Sequence, residues 1–441
     1  MIVLVALLAF YLAWNLGAND VANSMGTSVG SKAVTLRQAL IIAGILEFTG
    51  AVLFGGEVSE TLATEIVHPQ LFASDPQVLL IGMVSVLIAC GLWLQIATSF
   101  GLPVSSSHAT VGAIAGFSWI AAGVGAVDWS SIGIITIGWV LTPIVSGSIA
   151  ALFYSAIKRW ILDQPNPIAQ LREWIPWLSA ALLGVFGVIV LPTLTKPVQV
   201  FLINQWGINI PAHDISLATG AIAAVGISLV NWRQLERREQ RESARAQEQE
   251  SERAQARIHP AAFPLPPASS RVERQLGKFQ ILSACFVAFA HGSNDVGNAI
   301  APLAVISYIR QTQSVPLGDF HVPLWILVIG GLGIVGGLAV WGKNVITTVG
   351  ENIISLKPSG GFSAELATAT TVLLASRLGL PVSTSHALVG GVVGIGLVQN
   401  WRSIRLTTIR GIAAAWSITI PITAGLSAII FVVARLVLSR L

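Results

Sequence analysis

Apolar runs recur along nearly the whole chain, each about the 17 to 25 residues that a helix needs to cross a hydrocarbon core, with short polar breaks between them. The pattern predicts spans near Ile2 to Thr27, Gln38 to Phe54, Val78 to Phe100, Val104 to Ala122, Ile132 to Ala156, Trp174 to Leu194 and Asp214 to Val230. After a polar gap the runs resume near Phe279 to Ser307, Pro323 to Trp341, Phe362 to Ser376, Pro381 to Val398 and Gly411 to Val433. The expected fold is an all-α polytopic membrane protein of about twelve transmembrane segments, some of them broken helices or re-entrant hairpins.

Composition agrees with the periodicity. Of 441 residues, 54% are hydrophobic and 10% charged, against about 25% charged in an ordinary soluble domain, which excludes a soluble globular protein. Met1 starts directly in an apolar run without a basic leader, so the first segment is expected to stay as a span. Cys90 and Cys285 lie inside apolar runs and read as buried thiols, with neither disulfide nor metal spacing.

An isoelectric point near 9.3 would suggest nucleic acid in a soluble protein; here the basic excess sorts by side of the membrane and no nucleic-acid partner is expected. Alternating from an outside N-terminus puts Lys32, Arg37, Lys158, Arg159, Arg172, Lys343, Lys357, Arg402, Arg405 and Arg410 in the cytoplasm. The opposite loops are nearly free of basic residues, and one carries Glu57, Glu60, Glu65 and Asp75. Both termini are therefore expected outside, in a bacterial plasma membrane.

Trp232 to Lys278 breaks the pattern, with the charged stretch RQLERREQRESARAQEQESERAQAR followed by PAAFPLPPASS. It reads as a cytoplasmic tether that buries no core, its first half a solvated helix. The expected organisation is residues 1–231 as a first repeat with additional helices, 232–278 as linker and 279–441 as a second repeat.

Two motifs carry the chemistry, and each occurs twice. Gly17-Ala-Asn-Asp-Val-Ala-Asn23 returns as Gly292-Ser-Asn-Asp-Val-Gly-Asn298, and Gly101-Leu-Pro-Val-Ser-Ser-Ser-His108 returns as Gly379-Leu-Pro-Val-Ser-Thr-Ser-His386. The offsets, 275 (294 less 19) and 278 (386 less 108), nearly coincide, which marks an internal repeat. Seven crossings separate the two starts, so the halves are expected to be inverted, the arrangement of secondary transporters whose site lies between repeats near the midplane. Reading the Gly-Leu-Pro-Val-Ser segments as hairpin tips leaves that parity unchanged.

Asp20 and Asp295 sit within apolar spans, where an ionisable group is costly unless paired or facing water. With Asn19, Asn23, Asn294 and Asn298 they offer oxygens to a hard cation, and the neighbouring glycines are expected to let the helix open and free backbone carbonyls. Na⁺ is assigned to Asp20, Asn23, Asp295 and Asn298. In the second motif, proline in the first turn followed by Ser105, Ser106, Ser107 or Ser383, Thr384, Ser385 predicts half-helix N-termini that cradle an anion through N–H groups and hydroxyls. Asn and Ser can also serve as interhelical glue or caps, a reading that duplication weakens.

None of the four segments contains Lys or Arg. Two carboxylates and an oxyanion would not gather there uncompensated, so cations must enter with the anion. Glu47, Glu365 and His291 are further ionisable groups at membrane depth that could hold a cation or relay a proton. His108, His291 and His386 are expected to orient other groups. Arg377, beside the second cradle, is assigned to the membrane surface.

With these residues in view, the chain resembles the inorganic phosphate transporter (PiT) family over both halves. Gly17-Ala-Asn-Asp-Val-Ala-Asn-Ser24 followed by Gly26-Thr-Ser-Val-Gly-Ser31 looks like its first signature, and His291-Gly-Ser-Asn-Asp-Val-Gly-Asn298 like its second. The resemblance implies phosphate symport with Na⁺ or H⁺, no prosthetic cofactor, a homodimer with a moving transport domain, and transport-critical roles at Asp20, Glu47, Ser105, His291, Asp295, Glu365 and Ser383. A sulfate permease of the same build and a cation-only carrier are the alternatives. An intramembrane serine hydrolase would need one Ser–His centre, whereas the chain supplies the set twice, so it is not read as an enzyme.

Overall fold

The structure is a computed structural model that describes residues 2–102, 104–192, 199, 201–204, 212–255, 268–317, 320–349, 354 and 356–438. Pro103 of the second motif and the linker stretch 256–267 lie outside the described residues. Among those described, the elements are helical, with one isolated antiparallel bridge between Val67 and Val127.

The order is α1 (Ile2–Gly30), α2 (Leu36–Phe54), the short α3 (Gly56–Thr64), α4 (Pro76–Ser99), α5 (Ser106–Ala122) and α6 (Trp129–Ile157). Then come α7 (Pro167–Ile189), α8 (Ala212–Gln255), α9 (Ala268–Thr312), α10 (Leu324–Val349), α11 (Pro358–Arg377), α12 (Thr384–Asn400) and α13 (Leu406–Leu438). Eight helical stretches among the described residues are long and apolar enough to cross a membrane. Large apolar side chains such as Leu152, Ile222 and Ile429 are exposed, as a lipid-facing surface requires. Local chemistry sets the helix starts: Thr35 and Gln38 close a capping box on α2, while Asp75 and Asn166 cap α4 and α7 just ahead of a proline.

The runs Val78 to Phe100 and Val104 to Ala122 form a hairpin. The His68 N–H donates to Ala126 O (2.9 Å) and the Asp128 N–H to Ile66 O (3.0 Å), so the chain leaves α5 beside the point where it approaches α4. The matching helices α11 and α12 also pack on each other. Both turns contain a left-handed glycine, Gly101 at φ 64° and Gly379 at φ 67°, a conformation that strains any residue with a Cβ.

The helices group into two compact units, Met1–Tyr154 with Gln280–Leu441, and Ser155–Phe279. In the first, helices from before and after the 232–278 stretch interleave: α1 packs along α10 and α5 along α13. Contrary to the expectation from the glycines, α1 and α9 run unbroken through both Asn-Asp motifs. The motif glycines serve close packing instead. A Cβ on Gly17 would lie 1.9 Å from Ile334 O, and one on Gly292 would lie 2.0 Å from Glu47 O.

The second unit corrects the reading of the linker as a stretch that buries no core. Leu235, Val272 and Leu276 are buried, the Gln275 amide donates to Asn231 Oδ1 (2.9 Å), and Arg172 pairs with Glu236. Val272 and Leu276 recur at helical spacing, a stripe that the surrounding charges hide in averaged hydropathy.

Candidate functional site

α1 carries Asn19, Asp20 and Asn23, and α9 carries His291, Asn294, Asp295 and Asn298; all seven are buried. Helical spacing puts Asn23 over Asp20, its Nδ2 donating to Asp20 Oδ1 (3.1 Å), and His291 beside Asp295, Nε2 to Oδ2 3.1 Å. Atoms of Asp20, His291 and Asp295 converge within 4.8 Å of one another. On the far side of the imidazole, His291 Nδ1 lies 3.3 Å from Glu47 Oε1, which also accepts from the Ser24 hydroxyl (2.8 Å).

The two hairpins bring helix N-termini to this cluster. Ser105 and Ser383 are the N-caps of α5 and α12, each Oγ accepting the backbone N–H three residues on, at His108 and His386 (3.3 Å in both). The helices thus start at the serines and not at the prolines: Pro381 lies two residues before its cap, because the Ser hydroxyl supplies the first acceptor. Ser106 and Thr384 open the helices. The Thr384 hydroxyl donates to Asp295 Oδ2 (3.0 Å), and Asn298 Nδ2 donates to Ser106 Oγ (3.2 Å) and Ser107 Oγ (3.4 Å). Ser107 Oγ also reaches across to Val382 O (2.9 Å), and Ser385 Oγ lies 2.9 Å from Ser383 Oγ.

Asp20 Oδ2, Asp295 Oδ1 and Asn298 Oδ1 are buried without a hydrogen-bond partner. Unsatisfied oxygens at such depth suit a hard monovalent cation, and two carboxylates this close demand positive charge. The positive ends of α5 and α12 beside them suit an anion. The site therefore fits both members of an anion–cation pair.

Residues 16–427 match the phosphate transporter family. The inorganic phosphate transporter 2-1, chloroplastic, of Arabidopsis thaliana is 40% identical over 426 residues, covering 96% of this chain and 70% of that protein. A solved structure described as the sodium-dependent phosphate transporter superposes with a TM-score of 0.81 at 33% identity, over 99% of each chain. The chain belongs to the phosphate transporter family.

Other expected residues of this transporter lie apart from the Asp20–Asp295 cluster. Glu365 is wholly buried in a separate shell of neutral donors: Oε1 accepts from Thr27 Oγ1 (2.5 Å), Ser28 Oγ (2.7 Å) and Gln280 Nε2 (3.2 Å), and Oε2 from Ser283 Oγ (2.8 Å). Asn19 and Asn294 turn to the hairpins, donating to Thr98 Oγ1 (2.8 Å) and Ser376 Oγ (3.0 Å), and to the carbonyls of Leu102 and Leu380. His108 and His386 form a pair of their own, ring centroids 4.8 Å apart.

Sequence reasoning missed Ser24, the hydroxyls around Glu365, and the Thr98–Ser376 pair. The last had a signal in its spacing: 278 residues separate them (376 less 98), the offset of the hairpin motifs. Ser24, Thr27 and Ser28 lie within the first signature, which gave them no separate role, whereas Gln280 and Ser283 are single polar residues in an apolar helix that nothing local distinguishes from caps or glue.

The two hairpin turns of the transporter differ in cover. Gly101 and Leu102 are exposed, whereas Gly379 is buried beneath α3, where a Cβ would lie 2.9 Å from Thr61 Oγ1. Beside it Arg377, the residue expected at the surface, reaches Glu57 of α3 (3.5 Å). Partial burial raises the Glu57 carboxyl above its usual range against the pull of Arg377.

Proposed function

We propose that this chain moves inorganic phosphate across the bilayer by symport with Na⁺, through the cluster formed by Asp20, Asp295 and the N-termini of α5 and α12. The observation that carries the reading is the pairing of two buried carboxylates, with unpartnered oxygens, and two helix N-termini in a site to which the motifs bring no Lys or Arg. Asp20, Asn23, Asp295 and Asn298 hold the cations. Backbone N–H groups of the first turns, with the Ser106 and Thr384 hydroxyls, hold the phosphate. Anion and cation each remove the charge that would exclude the other, so neither enters favourably alone. That mutual dependence is the coupling.

The repeats are proposed to be inverted, with both termini outside and the linker in the cytoplasm, as the basic residues imply. On that orientation the first hairpin enters from outside and its exposed turn faces the cytoplasm. The covered turn of the second hairpin faces outward under α3. Glu57 and Arg377 then close the outer path while the inner one is open, and exchange of the two arrangements supplies alternating access. A homodimer is proposed from the family resemblance.

The test is uptake into proteoliposomes under an imposed Na⁺ gradient, with Asp20→Asn and Asp295→Asn alongside. Both replacements abolish uptake on this reading. Full uptake by either would remove the cluster from the transport path.

A further inference from the structure

We infer that His108 and His386 are positioning residues, a crossed brace that hangs the returning helix of each hairpin on the helix that follows the other hairpin and so fixes the two N-termini facing the anion. The inference rests on the site proposed above but concerns residues that do not contact the carboxylates. His108 is the third residue of α5 and His386 the third of α12, and each donates its backbone N–H to the serine cap of its own helix. Their rings point across the repeats. His108 Nδ1 lies 3.2 Å from Trp416 O on α13, and His386 Nδ1 lies 3.0 Å from Trp139 O on α6.

A carbonyl oxygen only accepts, so the ring proton sits on Nδ1 in both histidines and Nε2 is left as a bare acceptor. Both Nε2 atoms are indeed buried without a partner. The rings then cross over. His108 packs against Trp139, the residue whose carbonyl holds His386, with centroids 3.9 Å apart and the planes tilted by 43°; His386 packs in the same way against Trp416, the residue whose carbonyl holds His108, at 3.6 Å and 43°. The imidazoles meet edge to face at 85°. Each tryptophan thus bonds one histidine through its backbone and packs the other with its ring, so α5 and α12 are not set independently. A shift of one first turn loads the bond that holds the other.

Asn and Gln replacements separate this bond from mere packing. An Asn amide nitrogen sits where Nδ1 does and keeps the donor, whereas Gln carries its nitrogen near Nε2 and loses the contact to the carbonyl. His108→Asn and His386→Asn should keep the KM for phosphate near that of the parent. His108→Gln and His386→Gln should raise it by about tenfold, the worth of one hydrogen bond, with a smaller change in maximal rate. Amide exchange over residues 106–110 and 384–388 provides a readout independent of transport: faster in both turns of either Gln variant, unchanged in the Asn variants. Asn and Gln variants that behave alike in exchange would overturn the brace, whatever the uptake. If the parent protein takes up no phosphate, the transport reading fails, and the exchange data still decide the brace.

Discussion

Glu47 and His291 face each other in the buried core, Oε1 to Nδ1 3.3 Å apart, and neither recurs beside the other copy of the Asn-Asp motif. The Gly17–Ile334 contact matches the Gly292–Glu47 contact, so Ile334 stands where the symmetry would place a second Glu47, and Leu16 where it would place a second His291. The duplicated part of the site is the pair of Asn-Asp motifs and hairpins; the Glu47–His291 contact behind Asp295 is an addition to one side. Glu47→Gln preserves the shape and the Ser24 contact but removes the carboxylate opposite His291. Phosphate uptake should fall by about tenfold or more, the order expected when a buried charge loses its partner, with the protein still folded by size-exclusion chromatography. Unchanged uptake would show that the pair is packing only.

Gly17 and Gly292 should tolerate no side chain. Gly17→Ala and Gly292→Ala each drive a methyl into a backbone carbonyl, which cannot swing aside as a side chain would, and should destabilise by about 1–3 kcal/mol or more. Thermal unfolding in detergent measures this. Gly133→Ala is the control, since a Cβ there meets nothing within 4 Å, and it should leave the melting temperature unchanged or slightly higher.

The uneven cover of the two hairpin turns predicts uneven reactivity. In a Cys285→Ser background, Leu102→Cys should react with a membrane-impermeant maleimide applied from the cytoplasmic side, and Leu380→Cys should be protected. Arg377→Ala, which releases the contact to Glu57, should increase labelling of Leu380→Cys from outside. Equal labelling of both turns from one side would contradict the proposed orientation.

Glu365 should act on cations without touching phosphate. It lies in its own hydroxyl shell, and an ionised carboxylate there has no positive partner among its contacts. Glu365→Gln should flatten the dependence of uptake on Na⁺ concentration while moving the KM for phosphate by less than about twofold, the scatter of a change outside the anion's contacts. A large rise in that KM would place the anion near Glu365.

Much of this was legible in the chain because duplication repeats each signal. Asp20 and Asp295, the serine-capped helices and the hairpin turns could be read from the sequence, since each occurs twice at one offset. The brace between His108 and Trp416, or His386 and Trp139, was not, because it joins residues 308 and 247 positions apart through backbone carbonyls that carry no sequence mark. The motif glycines misled for a related reason. A glycine in an apolar helix permits both opening and close approach, and only the facing helix, α10 for Gly17 and α2 for Gly292, decides between them.

The central claim is coupled movement of phosphate and Na⁺ through the Asp20–Asp295 cluster. Radiolabelled phosphate uptake into proteoliposomes should require an inward Na⁺ gradient, resist competition by sulfate, and vanish in Asp20→Asn and Asp295→Asn. Uptake of phosphate that is indifferent to the Na⁺ gradient, or that survives in both Asn variants, would contradict it.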